Sequence, residues 1–268
     1  MRTLLYPPRR VFARGRLNMV RSRRARGASL YFSPNFRFKA NLCYLPPMET
    51  LKDILTGMMT PRRMERLIAV LEGRLKTLRL VVENLHDPHN MSAVVRSCEA
   101  FGVQHLHVVD SKGEFKLSRG IRKGSHKWLD IHYYDSFAPC AEELREAGFD
   151  LYAALLTDDA VALEEVPSTR PVALVLGNEH AGVSEEAQRL CDGAYTIPMY
   201  GFVQSFNISV AAAISLYSLG TRMRSELGEG ALLTPSEGSA LLERWIPKAS
   251  PHAKKIAEIL ARGKIRAE

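Results

Sequence analysis

The chain predicts an α/β fold: a mainly parallel sheet flanked by N- and C-terminal helices. Three features carry that expectation. Short β-rich runs alternate with helical segments from "LRLVVENL" through "AYTIPM", and strand–helix–strand units wind right-handed around parallel strands. The composition, 46% hydrophobic and 25% charged over 268 residues, suits a soluble domain with a sizeable core. The longest apolar run, Ile208 to Leu219, is interrupted by serines and falls short of the ~20 residues a membrane span needs. No membrane partner is expected.

The elements follow in order. "METLKDILTGMMTPRRMERLIAVLEGRL" reads as one or two amphipathic helices, with Thr60 and Pro61 as the start signal between them. "LRLVVENL" is a strand, and "NMSAVVRSCEAFG" is a helix closed by Gly102. "HLHVVD" is a strand again. "SKGEFKLSRGIRKGSHKW" has no periodicity and carries Lys112, Lys116, Arg119, Arg122, Lys123 and Lys127, so a mobile basic loop is expected. "LDIHYYD" is a strand, "SFAPCAEELREAG" a helix entered at Ser136, and "DLYAALL" and "PVALVLGN" are strands. "SEEAQRLC" is a helix capped by Ser184, "AYTIPM" a strand, and an apolar helix starts after Asn207. The tail "SEGSALLERWIPKASPHAKKIAEILARGK" makes two helices separated at Pro247 and Pro251.

The net charge of +8 is unevenly spread. Residues 1–48 hold 11 Arg and Lys and no acid, leaving 26 of the 37 basic residues against all 29 acidic ones, a balance of −3 for the rest. Three readings of this leader stay open: a transit peptide, a nucleic-acid-binding arm, or a reading frame over-extended ahead of a start at Met48 or Met58, the last favoured. No fold is expected for it. Cys43, Cys98, Cys140 and Cys191 show no C-x-x-C pair and no metal-spaced His, so reduced thiols in the cytoplasm and no metal are expected.

Three strand ends carry unusual residues, and ligands of open α/β sheets sit beyond the carboxyl ends of strands. In "ENLHDPHNMSAVVR", Asn90 stands at a helix mouth and Arg96 six residues on; a helix cap and a solvated helix face are the plain alternatives. In "LVLGNEHAGVS", glycines after a strand permit a tight turn and close ligand approach, with Glu179 between them. In "GFVQSFNISVAAAISLYSLG", Gln204, Ser205 and Asn207 crowd one helix mouth, more polar groups than one cap needs. No P-loop and no dinucleotide fingerprint is present, which argues against an ordinary NTPase or NAD enzyme.

Taken in order, N-x5-R, L-G-x-E-x-x-G and I-P-M-x-G-x-V-x-S-x-N-x-S-V-A resemble the three motifs of the SpoU (TrmH-like) branch of the SPOUT RNA 2′-O-ribose methyltransferases. The similarity runs from about Met58 to the C-terminus. It implies an α/β domain with a C-terminal trefoil knot, S-adenosyl-L-methionine bound in the knot, and a homodimer acting on tRNA, with guanosine 18 in the D-loop as the target. By this resemblance Arg96 activates or holds the ribose 2′-hydroxyl, and Asn90, Glu179, Ser205 and Asn207 complete the catalytic cluster. Ala154, Gly177, Ile197 and Phe206 line the cofactor pocket, where Ala154 and Phe206 depart from the family's usual Thr and Leu. RNA capture falls to the basic loop. The implied division is leader 1–48, N-terminal helical segment 49–75, methyltransferase domain 76–227 and C-terminal helical extension 228–268. Ribosomal RNA as substrate and a non-catalytic RNA-binding knot are the alternatives.

Overall fold

A computed structural model describes residues 51–111 and 124–258. The leader, Cys43 and the basic loop from Lys112 to Lys123, with its expected mobility, lie outside the described residues. Seven strands form one sheet: β1 (Leu78–Glu83), β2 (His105–Val109), β3 (Asp130–Tyr134), β4 (Asp150–Ala154), β5 (Val161–Ala162), β6 (Val172–Leu176) and β7 (Gly193–Thr196). Their order is β3-β2-β1-β6-β4-β7-β5, and every pairing is parallel. All of "VALVL" in β6 is buried, and all of "LRLVVE" in β1 except Arg79. Such unbroken apolar runs are what a central strand covered on both faces requires.

Alternation along β1 sorts the two faces. Leu78, Leu80 and Val82 join a core with α3 (Pro88–Phe101) and α6 (Ile208–Leu227); Val81 joins a second core with α4 (Phe137–Glu146) and α5 (Glu185–Leu190). The chain runs outward from β1 to β3, crosses to β4, and returns to insert β6 between β1 and β4. The strand order therefore reverses beside β1 and β6, where doubly wound sheets hold their ligands.

At the ends, α1 (Leu51–Gly57) and α2 (Pro61–Leu71) precede the sheet, and α7 (Pro235–Ala249) follows it. Thr60 caps α2 by accepting from Arg63 N at 3.3 Å. Thr234 and Glu237 cap α7 reciprocally, the Glu237 carboxylate accepting from Thr234 N at 2.7 Å. Leu241, Trp245 and Ala249 of α7 pack on Leu67 of α2. Among the described residues no helix is long and apolar enough to cross a membrane.

Several expectations need correction. Helix α3 begins at Pro88 with Asp87 as its cap, the carboxylate accepting from His89 N at 2.8 Å, so Asn90 is the third helical residue and not a cap. A proline pre-set for the first turn moves the start two residues upstream. Helix α7 runs through Pro247, which costs one helical N–H in the last turn; the chain breaks at Ser250 and Pro251 and is helical again from 253 to 258. The strand in "AYTIPM" ends at Thr196, and Ile197 already lies past the sheet. The two-residue edge strand β5 is too short to leave an alternation signal.

Candidate active site

The carboxyl ends of β1, β6, β4 and β7 lie side by side, and the segments leaving them carry the candidate residues. After β6 the chain turns back within six residues. Asn178 and Gly182 exchange backbone hydrogen bonds at 2.9 and 3.0 Å, and the Asn178 side chain accepts from His180 N and Ala181 N at 2.7 and 2.8 Å. A Cβ at Gly177 would stand 2.0 Å from the Gly182 backbone. The glycine thus serves the close approach of two backbone segments to each other. Asn84, just past β1, has a left-handed backbone (φ 51°) and ties two neighbouring loops together. Its carbonyl accepts from Asn178 Nδ2 at 3.2 Å, and its side chain accepts from Ser111 N at 3.0 Å.

That rigid turn presents Glu179. Its carboxylate accepts from Asn90 Nδ2 at 2.5 Å, and Asn90 Oδ1 accepts from Asn207 Nδ2 at 3.1 Å. Asn207 also caps α6, its Oδ1 accepting from Ser209 N at 3.0 Å and from Ser209 Oγ at 2.6 Å. One side chain therefore does both jobs: its oxygen satisfies the helix mouth while its amide nitrogen binds across to α3. Residues 90, 179 and 207 come from three loops or helix starts and meet in one solvent-facing chain of hydrogen bonds.

Arg96 and Ser205 are both exposed and make no hydrogen bond or ion pair with that trio or with any other described residue. Six residues along α3 place Arg96 about 9 Å further down the helix axis than Asn90. Ser205 belongs to a segment exposed from Tyr200 to Asn207, in which Phe202 is fully open to solvent. Of the expected cofactor residues, Ala154 ends β4, Gly177 follows β6 and Ile197 follows β7, three adjacent strand ends in the order β6-β4-β7. Phe206 lies in the exposed segment. The six basic-loop residues fall outside the described residues except Lys127, whose Nζ stands 4.6 Å over the Trp128 ring.

Two supports were not read from the sequence. Buried Glu83 accepts from Ser184 N at 2.9 Å and from Ser184 Oγ at 2.6 Å, fixing the start of α5 to the end of β1. Asn84 locks the adjoining loops. A carboxylate and an asparagine closing an otherwise apolar strand were the available signal.

Known proteins share this sequence pattern and fold. Residues 77–217 match the model of the SpoU rRNA Methylase family. A Thermus thermophilus protein named tRNA (guanosine(18)-2'-O)-methyltransferase is 40% identical over 190 residues, 70% of this chain and 98% of that one. The crystal structure of the A. aeolicus TrmH/SpoU tRNA modifying enzyme superposes with a TM-score of 0.63 at 38% identity, covering 73% of this chain and 98% of that one. The SpoU methyltransferase AviRb from Streptomyces viridochromogenes, solved in complex with AdoMet, covers 59% of this chain and 62% of its own at TM-score 0.50 and 26% identity.

Proposed function

The chain belongs to the SpoU rRNA methylase family, and on that premise we propose that it transfers a methyl group from S-adenosyl-L-methionine to the ribose 2′-oxygen of guanosine 18 in the D-loop of tRNA. The observation that carries this reading is the Asn90–Glu179–Asn207 chain at the carboxyl ends of adjacent parallel strands, in a protein aligned with 98% of a relative named for that reaction.

The residues present fit the cofactor. Three neighbouring strand ends offer backbone donors and acceptors, and Leu156 past β4 and Phe206 past β7 leave apolar side chains uncovered at that edge, a mixture suited to a nucleoside. S-adenosylmethionine, when bound, supplies a methyl group already activated by its sulfonium. The work left to the protein is alignment. Glu179, Asn90 and Asn207 form a pre-set polar wall that orients the ribose, with Ser205 beside them in the substrate segment. Arg96, whose guanidinium offers donors and no acceptor, does not serve as a base but grips ribose or phosphate with its planar fork.

We assign 76–227 as the catalytic domain, with the knot in its C-terminal part, and 49–75 and 228–268 as helical flanks. The working form is a homodimer in the cytoplasm, and Tyr217 and Val210 lying exposed on α6 support the dimer. The basic residues Lys112, Lys116, Arg119, Arg122, Lys123 and Lys127 engage the RNA backbone.

The test is a transfer assay with labelled S-adenosylmethionine and an unmodified tRNA transcript, mapping the modified nucleotide. A 2′-O-methylguanosine in the D-loop supports the reading. Transfer to ribosomal RNA alone overturns the substrate, and transfer to neither overturns the activity.

A further inference from the structure

On the face of the sheet remote from α3 and α6, parallel pairing of β2 with β3 sets His107 opposite His132 and His105 opposite Asp130. Alternation puts His105, His107, His132 and Tyr134 on one side, beneath α4, which lowers Glu143 onto them. The His107 and His132 rings stack at 4.5 Å with 9° between their planes. One ligand atom each from His107, His132 and Glu143 lies within 4.8 Å of the others.

The hydrogen bonds around these three groups leave lone pairs facing inward. Tyr134 Oη donates its one proton to Glu143 Oε2 at 2.7 Å, so at 2.9 Å it accepts from His107 Nδ1–H. His107 Nε2 then carries a lone pair, and this nitrogen, on a fully buried residue, has no hydrogen-bond partner. His132 Nε2 and His105 Nδ1 share a hydrogen bond at 3.1 Å, while His132 Nδ1 stands 3.7 Å from Glu143 Oε1, too far for a hydrogen bond. With His132 Nε2–H donating to His105, the second imidazole lone pair faces the carboxylate. Each candidate ligand is thus oriented through its other polar atom, the pattern in which metal-binding histidines and carboxylates are usually held.

We propose that His107, His132 and Glu143 form a binding site for a first-row divalent cation of the zinc type. Two imidazoles and a carboxylate suit Zn²⁺ or Co²⁺ rather than Mg²⁺ or Ca²⁺. His132 and Glu143 are partly exposed, which opens a route from solvent and leaves a further coordination position for water. Closing the group on an ion requires the His107 and His132 rings, stacked 9° from parallel, to turn so that their in-plane lone pairs converge on one point. The Arg79 guanidinium, whose charge reaches all three histidines, weakens the site by repelling a cation. The ion would clamp α4 to the β2–β3 edge. The ligands come from strands 25 residues apart and a helix further on, a spacing that matches no metal pattern readable along the chain.

The test uses the full-length protein, stripped with a chelator and titrated with Co²⁺ while its visible d–d absorption is followed. One equivalent is expected to develop an absorption band of low coordination number, which Zn²⁺ abolishes by displacement. His132→Ala and Glu143→Gln are each expected to weaken binding at least tenfold. Both positions are partly exposed, so circular dichroism and metal-free thermal unfolding verify that the variants fold. Metal should raise the unfolding temperature of the wild type and of neither variant. Absence of the band, or a band of equal affinity in both folded variants, would overturn the proposal, the second result placing the ion on other histidines.

Discussion

The sheet carries two polar clusters built in opposite ways. At the carboxyl edge, Asn90, Glu179 and Asn207 reach one another from turns and helix starts, face solvent, and rest on a frame of backbone hydrogen bonds made by Asn84, Asn178 and Gly182. Under α4, His105, His107, His132 and Tyr134 are strand residues brought together by register, with His107 fully buried. The first cluster is open and tied to the loops that leave the carboxyl ends of the strands. The second lies beneath a helix and is tied to the core through His107. Changes at the edge should therefore fall mainly on methyl transfer, and changes under α4 on stability.

The largest effect expected is at the frame of the edge cluster. Gly177→Ala drives a Cβ into the Gly182 backbone; a loss of about 3 kcal/mol is expected from overpacking against atoms that cannot yield, read by urea denaturation, and activity should fall with it. Arg96→Ala touches no described partner. It should keep the unfolding midpoint yet lower kcat/KM by ~10²-fold through lost alignment. Arg96→Lys, which keeps the charge and loses the fork, should recover little. Tyr134→Phe should do the reverse. Leaving His107 Nδ1–H without its acceptor is expected to cost about 1.5 kcal/mol, with methyl transfer per folded molecule unchanged. If Tyr134→Phe instead halved transfer at full stability, the separation of the two clusters would be lost. The finest test is Asn207→Asp. The oxygen that caps α6 is retained and the amide donor to Asn90 is removed, so stability should hold within ~0.5 kcal/mol while transfer drops by about tenfold.

The contrast also explains what could be read along the chain. Edge residues lie in short motifs flanked by glycine, proline and caps, and those punctuating residues mark the strand ends that hold ligands in this class of sheet. Asn90, Glu179 and Asn207 were therefore legible along the chain as candidates, although the helix mouth placed at Asn90 lies two residues upstream, where Pro88 starts the helix. Their mutual contacts were not accessible, since hydrogen bonds across 89 and 117 residues depend on strand order. Strand order itself escaped: nothing in "VALVLGN" announces that β6 inserts between β1 and β4. The histidines sit in "HLHVVD" and "LDIHYYD", two runs correctly recognised as strands. Which residue of one faces which residue of the other is a matter of register, and only pairing in three dimensions reveals it.

The central claim is that the edge cluster directs methyl transfer to one ribose oxygen of tRNA. Its most direct test replaces guanosine 18 of an otherwise unmodified transcript with 2′-deoxyguanosine and follows transfer from labelled S-adenosylmethionine. Removing that oxygen should abolish transfer while the unlabelled deoxy transcript still competes with wild-type tRNA for binding. Undiminished transfer to the deoxy transcript would contradict the account.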